Sequence, residues 1–448
     1  MHRFKSKIPL VRLASVRRFK SSWEGEMRTM EKSTVMLRFF DSEYGKKILF
    51  FSVCSLFFML PFNQGVYVTL YAAGLMGLVG LFIFWNADRF SVFPSVLWLP
   101  LLFFLYVAVT PGCLFKDMPL GETMFLAYTT GVAAAVFLSG KLWYAGVCSL
   151  VGLCLSFAWF VLRGFPQDMM WNGRLRLFFD HPSVLSFIAG LLFVCFLGTL
   201  RGQKTARKKI AIMGCSVGFG VVIFCAARGT YLALAVSSAF LALVVYHRYW
   251  LRIALISVIG TVILWGALSE ANRDRLLSAI RHPFQDTTFV SRQPIWDAAI
   301  AGFESSPVWG NGFRTFRTFH EQFITEHAGE LTEKYPIVES EIASPHNIYL
   351  GFVFGYGIVG VVLFLVALFP AVTASFAAGQ YLFPTILLYY ATYGLFDYPL
   401  HRKDGIILLF FPLGLVYGRR LAAALQGQTP ADRQQTGGGE AEQDFRSA

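Results

Sequence analysis

The sequence predicts an all-α fold, a polytopic membrane helix bundle of about twelve spans with a small helical periplasmic cap between spans nine and ten. Of the 448 residues, 55% are apolar and only 15% are charged, whereas soluble domains carry about 25% charged residues. Mean hydropathy is +0.54, and the apolar residues lie in long uncharged runs of the kind that a bilayer core about 30 Å thick requires. This composition excludes an ordinary soluble enzyme.

Apolar runs bounded by charged or turn residues predict the individual spans. They lie near 47–62, 66–84, 91–108, 121–138, 143–162, 182–199, 210–227, 229–246, 251–268, 347–369, 382–397 and 404–418. The domain organisation that follows is a basic cytoplasmic segment at 1–46, spans one to nine at 47–268, a periplasmic loop or cap at 269–345, spans ten to twelve at 346–420, and a disordered cytoplasmic tail at 421–448.

The segment 210–246 shows why the chain must turn at Arg228. Arg228 is its only charged residue, and as one helix the segment would be about 55 Å long, too long for a single span. The chain is therefore expected to reverse near Arg228-Gly229. A charge between two apolar runs is costly unless it has a partner, which favours a functional role for Arg228.

The orientation follows from the basic residues. Twelve Lys or Arg lie in the N-terminal segment up to Lys47, and basic short segments stay in the cytoplasm. An even number of spans then places both termini inside and the loop 269–345 outside. The net charge of +12 is explained by this bias, so we expect membrane lipids as neighbours and no nucleic acid as partner.

The ionisable residues expected at the outer surface form a basic group. They are Arg174, Arg176, His181, Arg228, Arg292, His346, His401 and Arg402. Guanidinium groups match phosphate oxygens, and the sequence has neither zinc-spaced Cys and His nor an Asp-x-Asp pair. These features predict a diphosphate site without metal or cofactor. For Arg174, Arg176 and Arg402, contact with lipid head groups is an equal alternative.

Two histidines lie where predicted spans begin. His346 follows Ser344-Pro345, so Ser344 is expected to cap a helix with His346 in its first turn, where the helix dipole disfavours imidazolium and suits a general base. The alternative is an interfacial His without a catalytic role. His181 lies beside Asp180, which should favour its protonation, so we expect His181 to be a substrate contact.

Arg292 and Trp296 are four residues apart in a predicted helix. This spacing puts a cation and an aromatic ring on one face, which suits a phosphate and a sugar, respectively. On its own the same pattern is also typical of a solvated helix.

Taken in order, these motifs resemble the O-antigen ligase and polymerase superfamily over roughly 174–369. The order is an Arg-Gly between two spans, then an Arg with a downstream Trp, Pro and Gly-x-Gly, then a His-Asn with a Gly-rich continuation. The matching residues are Arg228, Gly229, Arg292, Trp296, Pro307, Gly310, Gly312, His346, Asn347, Gly355, Gly357 and Gly360.

The resemblance, most marked to an O-antigen ligase, implies a membrane glycosyltransferase of the bacterial inner membrane. It implies an undecaprenyl-diphosphate-linked glycan as donor and lipid A–core as acceptor, with inversion and an active site that faces the periplasm. Arg228 and Arg292 would hold the diphosphate and His346 would be the base. Substrate-binding residues would be Arg174, Arg176, His181, Trp296 and Asn347.

Other functions remain open. The nearest is an O-antigen or exopolysaccharide polymerase, which uses the same donor and a second lipid-linked glycan as acceptor. A protein O-oligosaccharyltransferase is the next, and a transporter or flippase is the alternative from another class. The singled-out residues lie near one membrane surface, whereas transport sites tend to lie at the bilayer midplane.

Overall fold

The structure is a computed structural model that describes residues 43–63, 65–85, 98–110, 116–138, 140–200, 205–249 and 287–425, with single residues between 259 and 281. Within these ranges the chain is mostly helical, as the sequence predicts, and one short antiparallel pair of strands joins residues 170–171 to 174–175.

The helices before residue 250 are long and apolar. Their bounds are α1 Glu43–Met59, α2 Val66–Trp85, α3 Trp98–Val109, α4 Met118–Phe137, α5 Trp143–Leu162, α6 Pro182–Thr199, α7 Thr205–Cys225 and α8 Arg228–Val244. The strands β1 Met170–Trp171 and β2 Arg174–Leu175 form a hairpin between α5 and α6. A helix break lies where the sequence predicts the chain to turn, because α7 ends three residues before Arg228 and α8 begins with it; the reversal itself stays a prediction.

The second half contains short helices followed by three more apolar ones. Their bounds are α9 Gln293–Ser305, α10 Phe316–Glu326, α11 Ala328–Lys334, α12 Ile348–Ala377, α13 Leu382–Tyr393 and α14 Lys403–Leu425. Most of the predicted ninth span, 251–268, lies outside the described residues, as do residues 1–42 of the predicted leader and 426–448 of the predicted tail.

Seven helices of the described ranges are long and apolar enough to cross a bilayer. They are the helices that begin at Glu43, Met118, Trp143, Pro182, Thr205, Ile348 and Lys403. Shorter apolar helices lie at Val66–Val79, Trp98–Val109 and Arg228–Val244. A multi-pass membrane protein is therefore supported, while the count of twelve spans and the proposed domain boundaries stay predictions.

The most extensive helix contact joins α4 to α14. A Cβ on Gly131 would lie 2.2 Å from the Phe411 carbonyl oxygen, and one on Gly414 would lie 2.1 Å from the Tyr128 carbonyl oxygen. Only glycine allows this backbone approach, which is typical of helix packing in membranes, where small residues replace hydrophobic driving force. The contact ties α14 to the N-terminal half of the bundle.

Of the short helices between α8 and α12, α9 packs on α12, and α10 contacts it through the rings of Phe316 and Phe319 on Phe354. Their contacts form a separate apolar cluster that includes Ile295, Ala299, Phe316, Ile342 and Phe354. The prediction of short helices in this segment is thus confirmed for residues 293–334. Its position as a periplasmic cap stays a prediction.

Candidate active site

Helix ends that the sequence assigns to one membrane surface meet at one end of the bundle. α6 begins after His181, and α12 begins after Asn347. The ring of His181 interacts electrostatically with Arg174, Arg292, His346 and Asp397. The structure therefore brings three predicted site residues near His181, together with an aspartate that the sequence motifs did not single out.

Asp397 lies in the connection between α13 and α14 and contacts His346. Its Oδ1 accepts the Tyr398 N–H at 2.8 Å and lies 3.3 Å from His346 Nδ1, while Oδ2 accepts the Tyr393 hydroxyl at 3.0 Å. Burial alone would raise the pKa of Asp397, but the hydrogen bond and charge of His346 and the Tyr398 N–H outweigh burial and lower it. Asp397 is therefore ionised at neutral pH.

The ionised carboxylate determines which nitrogen of His346 carries the proton. A carboxylate can only accept hydrogen bonds, so Nδ1 must donate and Nε2 of the neutral ring keeps a free lone pair. The His346 side chain is 37% exposed, so a hydroxyl can approach it. This is the arrangement in which a base is oriented by a third group.

His346 does not lie in the first turn of α12, and that prediction is wrong. It has a left-handed backbone, with φ at 49°, and it precedes the N-cap. Asn347 is the cap, since its Oδ1 accepts the N–H groups of Tyr349 and Leu350 at 2.9 and 3.1 Å. Asn caps helices strongly and tolerates its extended backbone here, which leaves His346 outside the helix, where its ring reaches Asp397.

His181 also differs from its prediction. Burial and the charge of Arg174 lower its pKa to about 4, against the opposing charge of Asp397. Asp180 does not favour protonation as expected, because its side chain is 85% exposed and lies 3.7 Å from Arg402. His181 is therefore neutral, and its Nδ1 accepts the Ser183 N–H at 3.2 Å as the cap of α6.

The Ser183 hydroxyl lies between His181 and Asp397, and Asp397 in turn contacts His346. Its Oγ lies 2.7 Å from His181 Nδ1 and 3.3 Å from Asp397 Oδ2. One hydroxyl proton can serve only one of these acceptors at a time. The neutral His181 and the ionised Asp397 thus share a single donor, which links α6 to the α13–α14 connection.

Two of the predicted arginines donate hydrogen bonds to backbone carbonyl groups. Arg174 is buried, and its Nε donates to the carbonyl of Cys225, the last residue of α7, at 2.8 Å. Arg176 donates to the carbonyls of Asp168 and Asp180, with shortest distances of 2.7 and 3.3 Å. Both side chains fix loops beside the site, and their predicted contact with substrate stays a prediction.

Arg228 and Arg292 occupy helix N-termini. Arg228 is the first residue of α8 and Arg292 is the N-cap residue of α9, and each is half-buried. A Cβ on Gly229 would lie 3.0 Å from the Phe396 Cβ, so the start of α8 packs against the residue that precedes Asp397. Cationic side chains and exposed N–H groups at a helix start together favour anions.

Trp296 supports the segment before His346. Its Nε1 donates to the Pro345 carbonyl at 3.0 Å, and its ring packs edge-to-face on Phe289 at 5.4 Å. Asn347 is likewise engaged as the cap of α12. The predicted contacts of Trp296 and Asn347 with substrate stay predictions.

The glycines of the motif join the segment after α9 to a break in α12. Gly357 has φ 57° and ψ −166° inside α12, and a Cβ on it would lie 2.4 Å from the Val308 carbonyl oxygen. Gly310, with φ 75°, fits against Gly355 in the same way. The N–H of Gly312 donates to the Gly355 carbonyl at 2.8 Å, so these glycines fix the part of α12 that follows His346.

A buried carboxylate from the N-terminal half anchors the same segment. Asp117 is fully buried and accepts the N–H groups of Phe313 and Arg314, the latter at 2.8 Å. Burial raises its pKa against the opposing effect of these two hydrogen bonds. The Phe313 ring lies 4.4 Å from the Tyr398 ring, which connects Asp117 to the residue that holds Asp397.

Sequence reasoning missed Asp397 and Asp117. One signal was available for Asp397: it is an acidic residue at the end of the predicted span 382–397, and such a charge needs a partner. Among the described residues, no group of three His, Cys, Asp or Glu could hold a metal ion. Metal-independent chemistry stays a prediction.

Residues 213–365 match the family model described as O-antigen ligase. The matched segment contains Arg228, Arg292 and His346 but ends before Asp397. No curated protein matches the chain. The family and the apolar helices together indicate a multi-pass bacterial membrane protein with ligase-like or polymerase-like glycosyltransferase activity. The resemblance predicted from the motifs is therefore confirmed over residues 213–365, which match the O-antigen ligase family model.

Proposed function

We propose that this protein is an O-antigen ligase that transfers a glycan from undecaprenyl diphosphate to lipid A–core at the periplasmic face of the inner membrane. The observation that carries the proposal is the pair of His346 and ionised Asp397, 3.3 Å apart, of which His346 lies in the segment that matches this family. The pair would supply a base, and Arg228 and Arg292 would supply an anion site.

In the proposed reaction, His346 Nε2 takes the proton of an acceptor hydroxyl. The hydroxyl oxygen forms a bond to the anomeric carbon as the bond from that carbon to the diphosphate oxygen breaks. The diphosphate leaves with the electron pair, and a single displacement of this kind inverts the anomeric centre. Asp397 keeps Nδ1 as the donor and stabilises the imidazolium that forms.

Arg228 and Arg292 are proposed to hold the departing diphosphate. Their guanidinium groups remain charged and offer forked donors to phosphate oxygens. Two fixed cations at helix N-termini can stabilise the negative charge that develops on the leaving group. The reaction then needs no divalent metal and no cofactor.

The position at one end of the bundle suits a lipid-linked donor. The polyprenyl tail would stay among the apolar helices while the diphosphate meets the arginines at the surface. Twelve spans with both termini in the cytoplasm would put this end in the periplasm.

A deletion strain and its complementation test the proposal. For a ligase, the deletion strain should lose the polymer from its lipopolysaccharide, keep an intact core and accumulate lipid-linked polymer. Complementation with Arg228→Lys or Arg292→Lys should restore the polymer on lipopolysaccharide only in part. Core that carries a single repeat unit would instead indicate the polymerase. Unchanged lipopolysaccharide with a loss of glycosylated protein would indicate an oligosaccharyltransferase, and polymer precursors retained on the cytoplasmic side would indicate a flippase.

A further inference from the structure

The hairpin between α5 and α6 is a rigid element beside the site. Met170 pairs with Leu175 and Trp171 with Arg174, and the turn places Asn172 and Gly173 at φ 49° and 72°. Two left-handed residues form the turn that closes tight hairpins. Buried Arg174 fastens the second strand to the end of α7.

The flanks of the hairpin are fixed as well. The N–H groups of Arg176 and Leu177 both donate to the Met169 carbonyl at 3.1 Å, and the Arg176 guanidinium binds the backbone on both sides, at Asp168 and Asp180. The 167–180 segment is therefore held in place without any ligand.

Trp171 is exposed on this rigid hairpin. Its side chain keeps 45% of its surface accessible, and its ring lies 5.7 Å from the ring of His181. Trp296, in contrast, has its indole N–H bonded to Pro345 and its ring packed on Phe289. Of these two tryptophans, Trp171 is the one with a ring surface available to a substrate.

Charged side chains at both ends of the hairpin offer hydrogen-bonding groups to a sugar. Asp168 and Asp180 are 64% and 85% exposed and lie 3.3 Å from Arg163 and 3.7 Å from Arg402, respectively. Exposed carboxylates in such pairs accept hydrogen bonds from sugar hydroxyls, and the guanidinium groups donate to them. An amphipathic ring on a hairpin with such flanks matches the apolar face and the hydroxyl edge of a pyranose.

We propose that the 167–180 hairpin is a glycan-binding subsite in which the Trp171 ring stacks on a pyranose next to the His346–Asp397 pair. The inference rests on the proposed glycan transfer. In this arrangement Arg228 and Arg292 bind the diphosphate, and the hairpin binds the sugar. The sugar belongs either to the donor glycan or to the core acceptor, and both present the same chemistry.

Binding of free oligosaccharides to the purified full-length protein tests this subsite without any transfer step. The two probes are the repeat-unit oligosaccharide and the core oligosaccharide, each freed from lipid and phosphate, with affinity measured by calorimetry. Trp171→Leu keeps an apolar side chain but removes the flat ring, so it should weaken one probe about 3- to 10-fold. Trp171→Phe should retain most of the affinity.

Trp159→Ala is the matched control, since Trp159 is 50% exposed on α5, and it should bind both probes like wild type. The probe that weakens identifies the source of the sugar, and in a transfer assay the KM for that substrate should rise while saturated turnover is kept. Unchanged affinity for both probes in Trp171→Leu would overturn the subsite and leave Trp171 as an anchor at the membrane interface. A protein that binds sugar through Trp171 but transfers none would instead refute the proposed function alone.

Discussion

Replacing Asp397 with Asn tests the base mechanism most directly, because it removes a charge and little else. Tyr398 N–H is a fixed donor to Oδ1, so the Asn oxygen should occupy that position. The new amide would then face the hydroxyls of Tyr393 and Ser183, which can accept from it. His346 Nδ1 should therefore keep its acceptor and its tautomer.

What Asp397→Asn loses is the charge that stabilises imidazolium as the proton arrives. Two opposite charges about 4 Å apart at an effective dielectric constant near 20 interact by roughly 4 kcal/mol. Because His346 is 37% exposed and Asp397 18% exposed, water screens part of this, and about 2–4 kcal/mol is a reasonable range. Saturated turnover should therefore fall about 30- to 1,000-fold, with donor affinity nearly unchanged.

The assay uses purified protein with lipid-linked donor and core acceptor, over a range of donor concentrations, so that saturated turnover and donor affinity are measured separately. Glu321→Gln, which removes an exposed carboxylate paired with Arg317, should behave like wild type. A folded Asp397→Asn protein with wild-type saturated turnover would refute the pairing of His346 with Asp397 as the source of the base.

The remaining predictions concern His346 as the base, the independence from divalent metal, the stability at acidic pH and the role of Asp117. His346→Ala should lower turnover about 10²–10⁴-fold while donor affinity is kept; collapsed affinity with near-normal saturated turnover would instead make it a binding residue. Transfer should keep its rate in EDTA, and activity that only magnesium or manganese restores would contradict the arginine clamp. His181 has a pKa of about 4 when folded against 6.5 as its ordinary value, so the unfolded chain takes up its proton first and stability should fall between pH 6.5 and 4. His181→Asn, another capping residue, should show a smaller fall in Tm over this range, and an identical fall would contradict the assignment. Asp117→Asn should lower the Tm because the N–H groups of Phe313 and Arg314 donate to different oxygens of Asp117, and in Asn one of these positions becomes an NH2 group that cannot accept. One buried N–H without a partner costs about 1–3 kcal/mol, and an unchanged Tm would contradict the role of Asp117 as an anchor.

Hydropathy predicted most of the fold because spanning helices are continuous apolar runs. The predicted spans at 143–162 and 182–199 match α5 and α6 residue for residue, and the helix break at Arg228 followed from length alone. The hairpin at 170–175 was not predicted, since each of its strands has only two residues and depends on Arg174 and Arg176 for its shape.

Only the site residues that stand in a local sequence pattern were predicted. The arginines and His346 stand at span boundaries, where charge and apolar runs alternate visibly. The partner of His346 is 51 residues away in sequence, and the anchor of Phe313 is 196 residues away. Such pairs depend on how α4, α13 and α14 pack, and one sequence carries no local sign of that packing. The error in capping arose because Ser344 and Asn347 are both good caps and only the tertiary contacts decide between them.

The division of the site across the chain explains why the matched domain alone cannot form it. The segment 213–365 supplies His346 and two arginines, but the carboxylate that fixes the tautomer of His346 follows α13. That carboxylate is held through Tyr398, whose ring contacts Phe313, and Phe313 is held by Asp117 at the start of α4. The glycine contact packs α4, which follows Asp117, against α14, which follows Asp397. A change at the α4–α14 crossing should therefore reach the base through backbone and ring contacts.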